Sequence, residues 1–168
     1  MTELRVWRAG EQDRATAFQL VQEYNDAVDV VVRDSSESFE TDYFGAGAGM
    51  WLAKKGKDVV GCIGLRPLST PAQAGEIKRM YVRPEYRGSG VALALLVALE
   101  QYAEAHGYAW LYLDSKDDLK AALRFYDRHG YEACERYNRN PQATVFLRKA
   151  LDPRAEHLLQ KHGMASQR

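Results

Sequence analysis

Residues 76–92 read Glu76-Ile77-Lys78-Arg79-Met80-Tyr81-Val82-Arg83-Pro84-Glu85-Tyr86-Arg87-Gly88-Ser89-Gly90-Val91-Ala92. A β-rich run over Gly75–Val82 stops at Arg83-Pro84, because proline cannot donate to a strand ladder. A turn with two glycines then leads straight into an alanine- and leucine-rich helix expected over Val91–His106, closed by Gly107. Gly88 and Gly90 remove Cβ atoms where backbone must approach a ligand or take positive φ. The free amides of the first helical turn, aided by the helix dipole, favour an anion. Strand, proline, glycine turn and helix together describe a pyrophosphate cradle made of backbone. It is not a P-loop, since Val91 and Ala92 stand where GxxxxGK[ST] needs Lys and Ser/Thr. Nor is it a dinucleotide fingerprint, since Leu93 occupies the place of the third glycine.

Working outward, the chain reads as one mixed α/β unit with no repeat and no linker. A strand is expected over Leu4–Arg8, and a helix over Asp13–Val28 with Asp13 as its cap. A second short helix and a glycine-rich turn should follow by Gly49, then a hairpin of Met50–Ala53 and Asp58–Leu65 around Lys55-Gly56-Lys57. Beyond the long helix come a strand at Ala109–Leu113 and a helix over Asp117–His129 closed by Gly130, with Asp117 and Asp118 as start signals. Tyr131–Tyr137 and Ala143–Lys149 pattern as an antiparallel pair. The domain is expected over residues 1–151, with a short helical tail over 152–168.

At this point the sequence resembles the GNAT superfamily of N-acetyltransferases. Arg87, Gly90 and Ala92 match the family's acyl-CoA pattern Q/R-x-x-G-x-G/A, and Lys78–Val82 with Arg83-Pro84 is typical of the approach to it. Ala122, Phe125-Tyr126 and Gly130-Tyr131 resemble a second family signature downstream. The resemblance implies a GNAT-type acyl-CoA N-acyltransferase fold, with a central, mostly antiparallel sheet of splayed strands flanked by helices. It implies that backbone groups of Met80, Tyr81 and Val82 pair with the pantetheine arm like an added strand. Amides from Arg87, Gly88, Ser89, Gly90, Val91 and Ala92 would hold the pyrophosphate of acetyl-CoA. Tyr126 would protonate the departing thiolate, and the Met80 amide would stabilise the oxyanion. Glu76 matches by position a glutamate that serves as general base in some members; otherwise it is a solvated carboxylate at a strand end. One departure is Leu119, where many members carry an asparagine seven residues before the tyrosine.

The 168 residues carry 23 basic and 23 acidic side chains, so no basic excess supports nucleic-acid or anionic-membrane binding. That balance hides an acidic segment, Asp26, Asp29, Asp34, Glu37, Glu40 and Asp42 against Arg33, which reads either as a solvated charged face or as a surface where a cationic amine approaches. Tyr24, Tyr137 and Asn138 are candidates for contact with that acceptor. The longest apolar run, Val91–Leu99, is about half of what a bilayer crossing needs, and the N-terminus has no apolar signal core, so a cytoplasmic location is expected. Cys62 and Cys134 read as buried strand thiols without metal-ligand spacing, and no metal is expected. His106 and His129 fall in last helical turns, where capping is the simpler role; His157 and His162 fall in the tail.

The expected function is therefore transfer of acetyl from acetyl-CoA to a primary amine of a small molecule in a ternary complex. Acetylation of a protein lysine or N-terminus, and a non-catalytic acyl-CoA sensor, are the alternatives. A monomer or a homodimer paired through a sheet edge would both suit such a fold.

Overall fold

The computed structural model describes residues 3–31 and 33–155. The elements are β1 (Leu4–Arg8), α1 (Arg14–Ala27), α2 (Ser36–Tyr43), β2 (Gly49–Lys55), β3 (Asp58–Pro67), β4 (Ala74–Val82), α3 (Val91–Ala105), β5 (Trp110–Ser115), α4 (Lys120–Arg128), β6 (Glu132–Ala133) and β7 (Val145–Ala150). They form two compact units, and the strand β4 contributes to both: Ala74–Glu76 to one, Ile77–Val82 to the other.

The first unit comprises residues up to Pro67 and Ile77–His106, with strand order β1-β2-β3-β4. β1 and β3 each pair antiparallel with β2. The β2–β3 turn is tight because Gly56 takes φ +61°, as expected of the Lys55–Lys57 hairpin. Period-2 alternation divides these strands between two faces. Met50, Leu52 and Cys62 join Ala17, Leu20 and Val21 of α1 and Phe39 and Tyr43 of α2 in one core. Phe39 is its centre, with ring contacts to Phe18, Tyr43 and Phe44 at 5.3, 5.4 and 5.6 Å. The opposite face receives α3 through Val91, Leu95, Leu96 and Leu99, all at most 1% exposed. Burying side chains of that size stabilises by about 1.5–3 kcal/mol each. Gly61 sits on this side, where a Cβ would lie 2.8 Å from the Tyr81 carbonyl oxygen.

The second unit comprises Leu68–Glu76 and the chain from Gly107. Its strand order is β4-β5-β7-β6. β4 and β5 run parallel and share three register pairs, Ala74↔Trp110, Gly75↔Leu111 and Glu76↔Tyr112. β5 and β7 pair antiparallel along six residues, from Trp110↔Ala150 to Ser115↔Val145. Trp110 closes the unit's small core with Ala74, Ala109, Tyr112 and Ala155, and its indole N–H donates to the Ala155 carbonyl at 3.1 Å.

Four local expectations are corrected. Asp13 does not cap α1 with its side chain; its carboxylate turns back to accept from the Gly10 amide at 2.9 Å and the Trp7 indole at 3.1 Å. α4 starts at Lys120 rather than at Asp117 or Asp118, with Leu119 as an N-cap that offers no side-chain acceptor. The Asp117 amide, ahead of this start, donates to the Thr144 hydroxyl at 2.9 Å. The expected strand at Tyr131–Tyr137 forms a ladder over Glu132–Ala133, with one further bond from the Cys134 amide to the Phe146 carbonyl at 2.9 Å. After it, Arg136 donates to the carbonyls of Asn138, Asn140 and Ala143 and folds the segment into a closed loop, so Cys134 is partly exposed rather than a buried strand residue. From residue 156 the expected tail helix, with His157 and His162, lies outside the described residues.

Candidate active site

In the first unit, β4 runs into a single 3₁₀ turn, Pro84–Tyr86, whose first position suits a residue without an N–H. The Tyr86 and Arg87 amides bond back to the Arg83 and Pro84 carbonyls at 2.9 and 3.3 Å. The Arg87 side chain also folds back, donating Nε–H to the Val82 carbonyl at 3.1 Å, and the Ser89 hydroxyl donates to the Tyr86 carbonyl. Gly88 and Gly90 both take left-handed backbone, at φ +78° and +85°. A Cβ at either would meet nothing within 4 Å, so conformation rather than crowding calls for glycine there. Gly90 is the N-cap of the 15-residue α3 and supplies no side chain to its first turn. The amides that open α3 therefore have no intrahelical acceptor, and they sit behind a loop, Arg87–Gly90, that is exposed throughout. A helix start of this kind favours an anion.

Upstream, β4 is bent. Arg79 is left-handed at φ +56°, a conformation that costs an L-residue about 1–2 kcal/mol. Its guanidinium pairs with Asp34 at 3.0 Å and lies over the Tyr24 ring at 5.8 Å, and its carbonyl accepts from the Cys62 thiol at 3.2 Å. Burial, with the Glu23 charge adding to it, pushes that thiol up to about 12, so Cys62 stays a neutral donor. Tyr24 meets Tyr81 edge-on at 6.5 Å. Glu23 accepts both Nε–H and Nη2–H of Arg83, at 3.0 and 2.9 Å, and fastens the end of β4 to α1.

In the second unit, Glu76 is 1% exposed and is not a solvated strand-end carboxylate. Its Oε2 accepts from the Tyr137 hydroxyl at 2.7 Å and from the Asn138 amide at 3.0 Å. The same Asn138 nitrogen donates to Asp114 at 2.5 Å, and Asn140 donates to Asp114 at 3.3 Å. Tyr137 packs between Tyr112 at 5.0 Å and Phe146 at 5.7 Å. Burial first, then the Glu76 charge, drives the phenol pKa far up, so Tyr137 is a permanent donor to the carboxylate. Tyr126, also in this unit, is 6% exposed on α4 and meets Tyr131 edge-on at 5.4 Å. His129 ends α4 against Phe125, and His106 ends α3 with its ring nitrogen 2.9 Å from the Tyr102 carbonyl; both are helix-end residues.

The structure thus joins three sequence candidates, Glu76, Tyr137 and Asn138, in one hydrogen-bonded cluster. Sequence reasoning missed Asp114 as its fourth member. The signal was parity: Trp110, Tyr112 and Asp114 share one face of β5, so a carboxylate continues an aromatic face. In the acidic segment Asp26, Asp34, Glu40 and Asp42 pair with Arg33, Arg79, Arg14 and Arg66; Asp34, 8% exposed, is the one of these four drawn into the fold, and the other three remain on a solvated face. Among the described residues, no group of three or more His, Cys, Asp or Glu could hold a metal ion, and no helix is long and apolar enough to cross a membrane.

Comparison with known proteins agrees with this geometry. The chain is 38% identical over 86 residues to an uncharacterized N-acetyltransferase of Schizosaccharomyces pombe, covering 51% of this chain and 52% of that protein. The chain spans about half the length of the first curated relatives it matches. Among solved structures, a GNAT-family acetyltransferase from Staphylococcus aureus superposes with a TM-score of 0.76 at 19% identity, over 89% of this chain and 100% of that one. YncA from Salmonella typhimurium, described as a putative acetyltransferase with its cofactor acetyl-CoA, gives 0.71 at 17% identity, over 89% and 95%. Residues 14–131 match the sequence profile of the acetyltransferase (GNAT) family, and the chain belongs to that family.

Proposed function

We propose that residues 1–151 form an acetyl-CoA-dependent N-acetyltransferase that acts on a primary amine of a small molecule. The observation that carries the reading is the left-handed Gly88/Gly90 turn capping α3, whose unpaired amides suit an anionic pyrophosphate. The acetyl-CoA in the Salmonella neighbour supports the same co-substrate. Met80, Tyr81 and Val82 are assigned to the pantetheine arm through backbone, and Arg87–Ala92 to the pyrophosphate.

In the reaction the amine nitrogen adds to the acetyl carbon to give a tetrahedral oxyanion, whose collapse restores the carbonyl and breaks the carbon–sulfur bond. Glu76 takes the proton lost by the amine, directly or through water, and Tyr126 gives a proton to the leaving thiolate. The Met80 amide donates to the oxyanion between these events. Holding amine and thioester together supplies a further large share of the rate. The closed Arg136–Ala143 loop, pinned by Arg136 and Asp114, favours a compact acceptor over an extended peptide, which needs an open groove or strand edge.

Release of CoA thiol from acetyl-CoA, measured across amines, amino acids and peptides, tests the proposal. Turnover with small amines is expected. Turnover with peptides alone would assign the protein-acetylating alternative, and tight CoA binding without any turnover would assign the sensor.

A further inference from the structure

The ion pairs around α1 and α2 are not alike. Arg33–Asp26, Arg14–Glu40 and Arg66–Asp42 have side chains 33–72% exposed, where solvent screens them. In Arg79–Asp34 the side chains are only 14% and 8% exposed. Asp34 immediately precedes Ser35, whose hydroxyl accepts from the Ser38 amide at 3.1 Å and starts α2. On its other side, Arg33 donates to the Val30 carbonyl and pairs with Asp26. The described residues between α1 and α2 are therefore tied to one another and fastened to β4 at Asp34.

The partner in β4 is the residue that carries the bend. Arg79 is held there by three unlike contacts: the Asp34 carboxylate, the Tyr24 ring and the Cys62 thiol on its carbonyl. The last contact has a geometric consequence, because the Arg79 carbonyl and the Met80 N–H belong to one planar trans peptide. A thiol that fixes the direction of one fixes the other, which points the opposite way, away from Cys62.

We infer that Arg79 is a positioning residue: its buried pair with Asp34, together with the Cys62 thiol, locks the bend that aims the Met80 amide and ties the segment between α1 and α2 to it. The functional half of this inference rests on the proposed role of Met80 as oxyanion donor. The structural half stands on the contacts alone.

The test compares Arg79→Gly, Asp34→Asn, Cys62→Ala and Cys62→Ser in the full chain. Glycine accepts φ +56° without strain, so Arg79→Gly keeps the bend and deletes only the latch. Asp34→Asn keeps shape and removes charge, which leaves a second variant should the first fold poorly. Expected are a fall of at least tenfold in kcat for Arg79→Gly and Asp34→Asn, an acetyl-CoA Kd within twofold of the wild type, and faster amide hydrogen exchange over residues 29–35. Cys62→Ala should lower kcat, and Cys62→Ser, which restores a donor, should recover most of it. Wild-type kcat in Arg79→Gly, or unchanged exchange over 29–35, overturns the inference. If the wild-type protein acetylates no amine, the proposed function fails separately, and the exchange measurement alone decides the latch.

Discussion

The glycine turn before α3 and the Glu76 cluster are built on opposite principles. The turn is made of backbone: Arg87–Gly90 are exposed, and a Cβ at either glycine would touch nothing. The cluster is made of side chains brought from 61 and 62 positions away, with Tyr137 and Asn138 closing on a carboxylate that is 1% exposed. A backbone site is protected by conformation and tolerates any side chain that respects φ and charge. A side-chain site is protected by packing, and each member is needed to satisfy the others.

The largest effect is expected at the turn. Gly90→Asp should weaken acetyl-CoA binding several-hundredfold by calorimetry, about 3–4 kcal/mol, through left-handed strain and repulsion of the pyrophosphate. Gly90→Ala should cost only about 1 kcal/mol of stability, with affinity changed a few fold. If alanine proved as harmful as aspartate, crowding would matter and the contrast would break. In the cluster, Glu76→Ala should cost about 3 kcal/mol in urea unfolding, because it strands the partly buried Tyr137 hydroxyl and an Asn138 hydrogen. A loss below 1 kcal/mol would mean that these groups find other partners and that the members of the cluster do not depend on one another.

Tyr126→Phe should lower turnover about 100-fold, or about 2.7 kcal/mol, with the acetyl-CoA Kd unchanged. A change in Kd instead of turnover would move Tyr126 from the chemistry to binding.

A smaller effect should appear in alkali. Since the Cys62 thiol is raised in the fold from 9.0 to about 12, its contribution is complete below pH 9 and is lost as pH climbs toward 12. Between pH 8.5 and 10.5 the wild type should lose about 2 kcal/mol more than Cys62→Ser, which keeps a donor that does not titrate there. Equal losses would show that the thiol ionises freely. Smallest, Leu119→Asn should raise stability by about 0.5–1 kcal/mol, seen in thermal unfolding, by giving α4 the side-chain cap it lacks.

The same contrast explains what could be read from the chain. Gly88, Gly90 and Pro84 announce themselves because a backbone device needs those residues at fixed spacing, and the hairpin at Gly56 and the end of α3 at Gly107 are legible for that reason. Tyr126 came through a second local signature. Contacts across long sequence separations were not legible. Nothing local says that Arg79 and Asp34 meet from 45 positions apart, so the acidic segment read as a free face. Nor does anything local say that Thr144 holds the Asp117 amide, or that Arg136 folds a strand-like run into a loop. Propensity was overruled in each case by a partner that only the fold supplies.

The Cys62 thiol has one more consequence. A chain proposed to hold a thioester runs the risk of thiol–thioester exchange, in which a protein cysteine captures the acetyl group before the amine can. Only the thiolate attacks, and a fully buried thiol titrating at about 12 has almost none of it at neutral pH. The burial that makes Cys62 a dependable donor to the bend in β4 also makes it chemically inert toward the acyl group, so a side chain that would elsewhere compete for acetyl is spent as a structural hydroxyl would be.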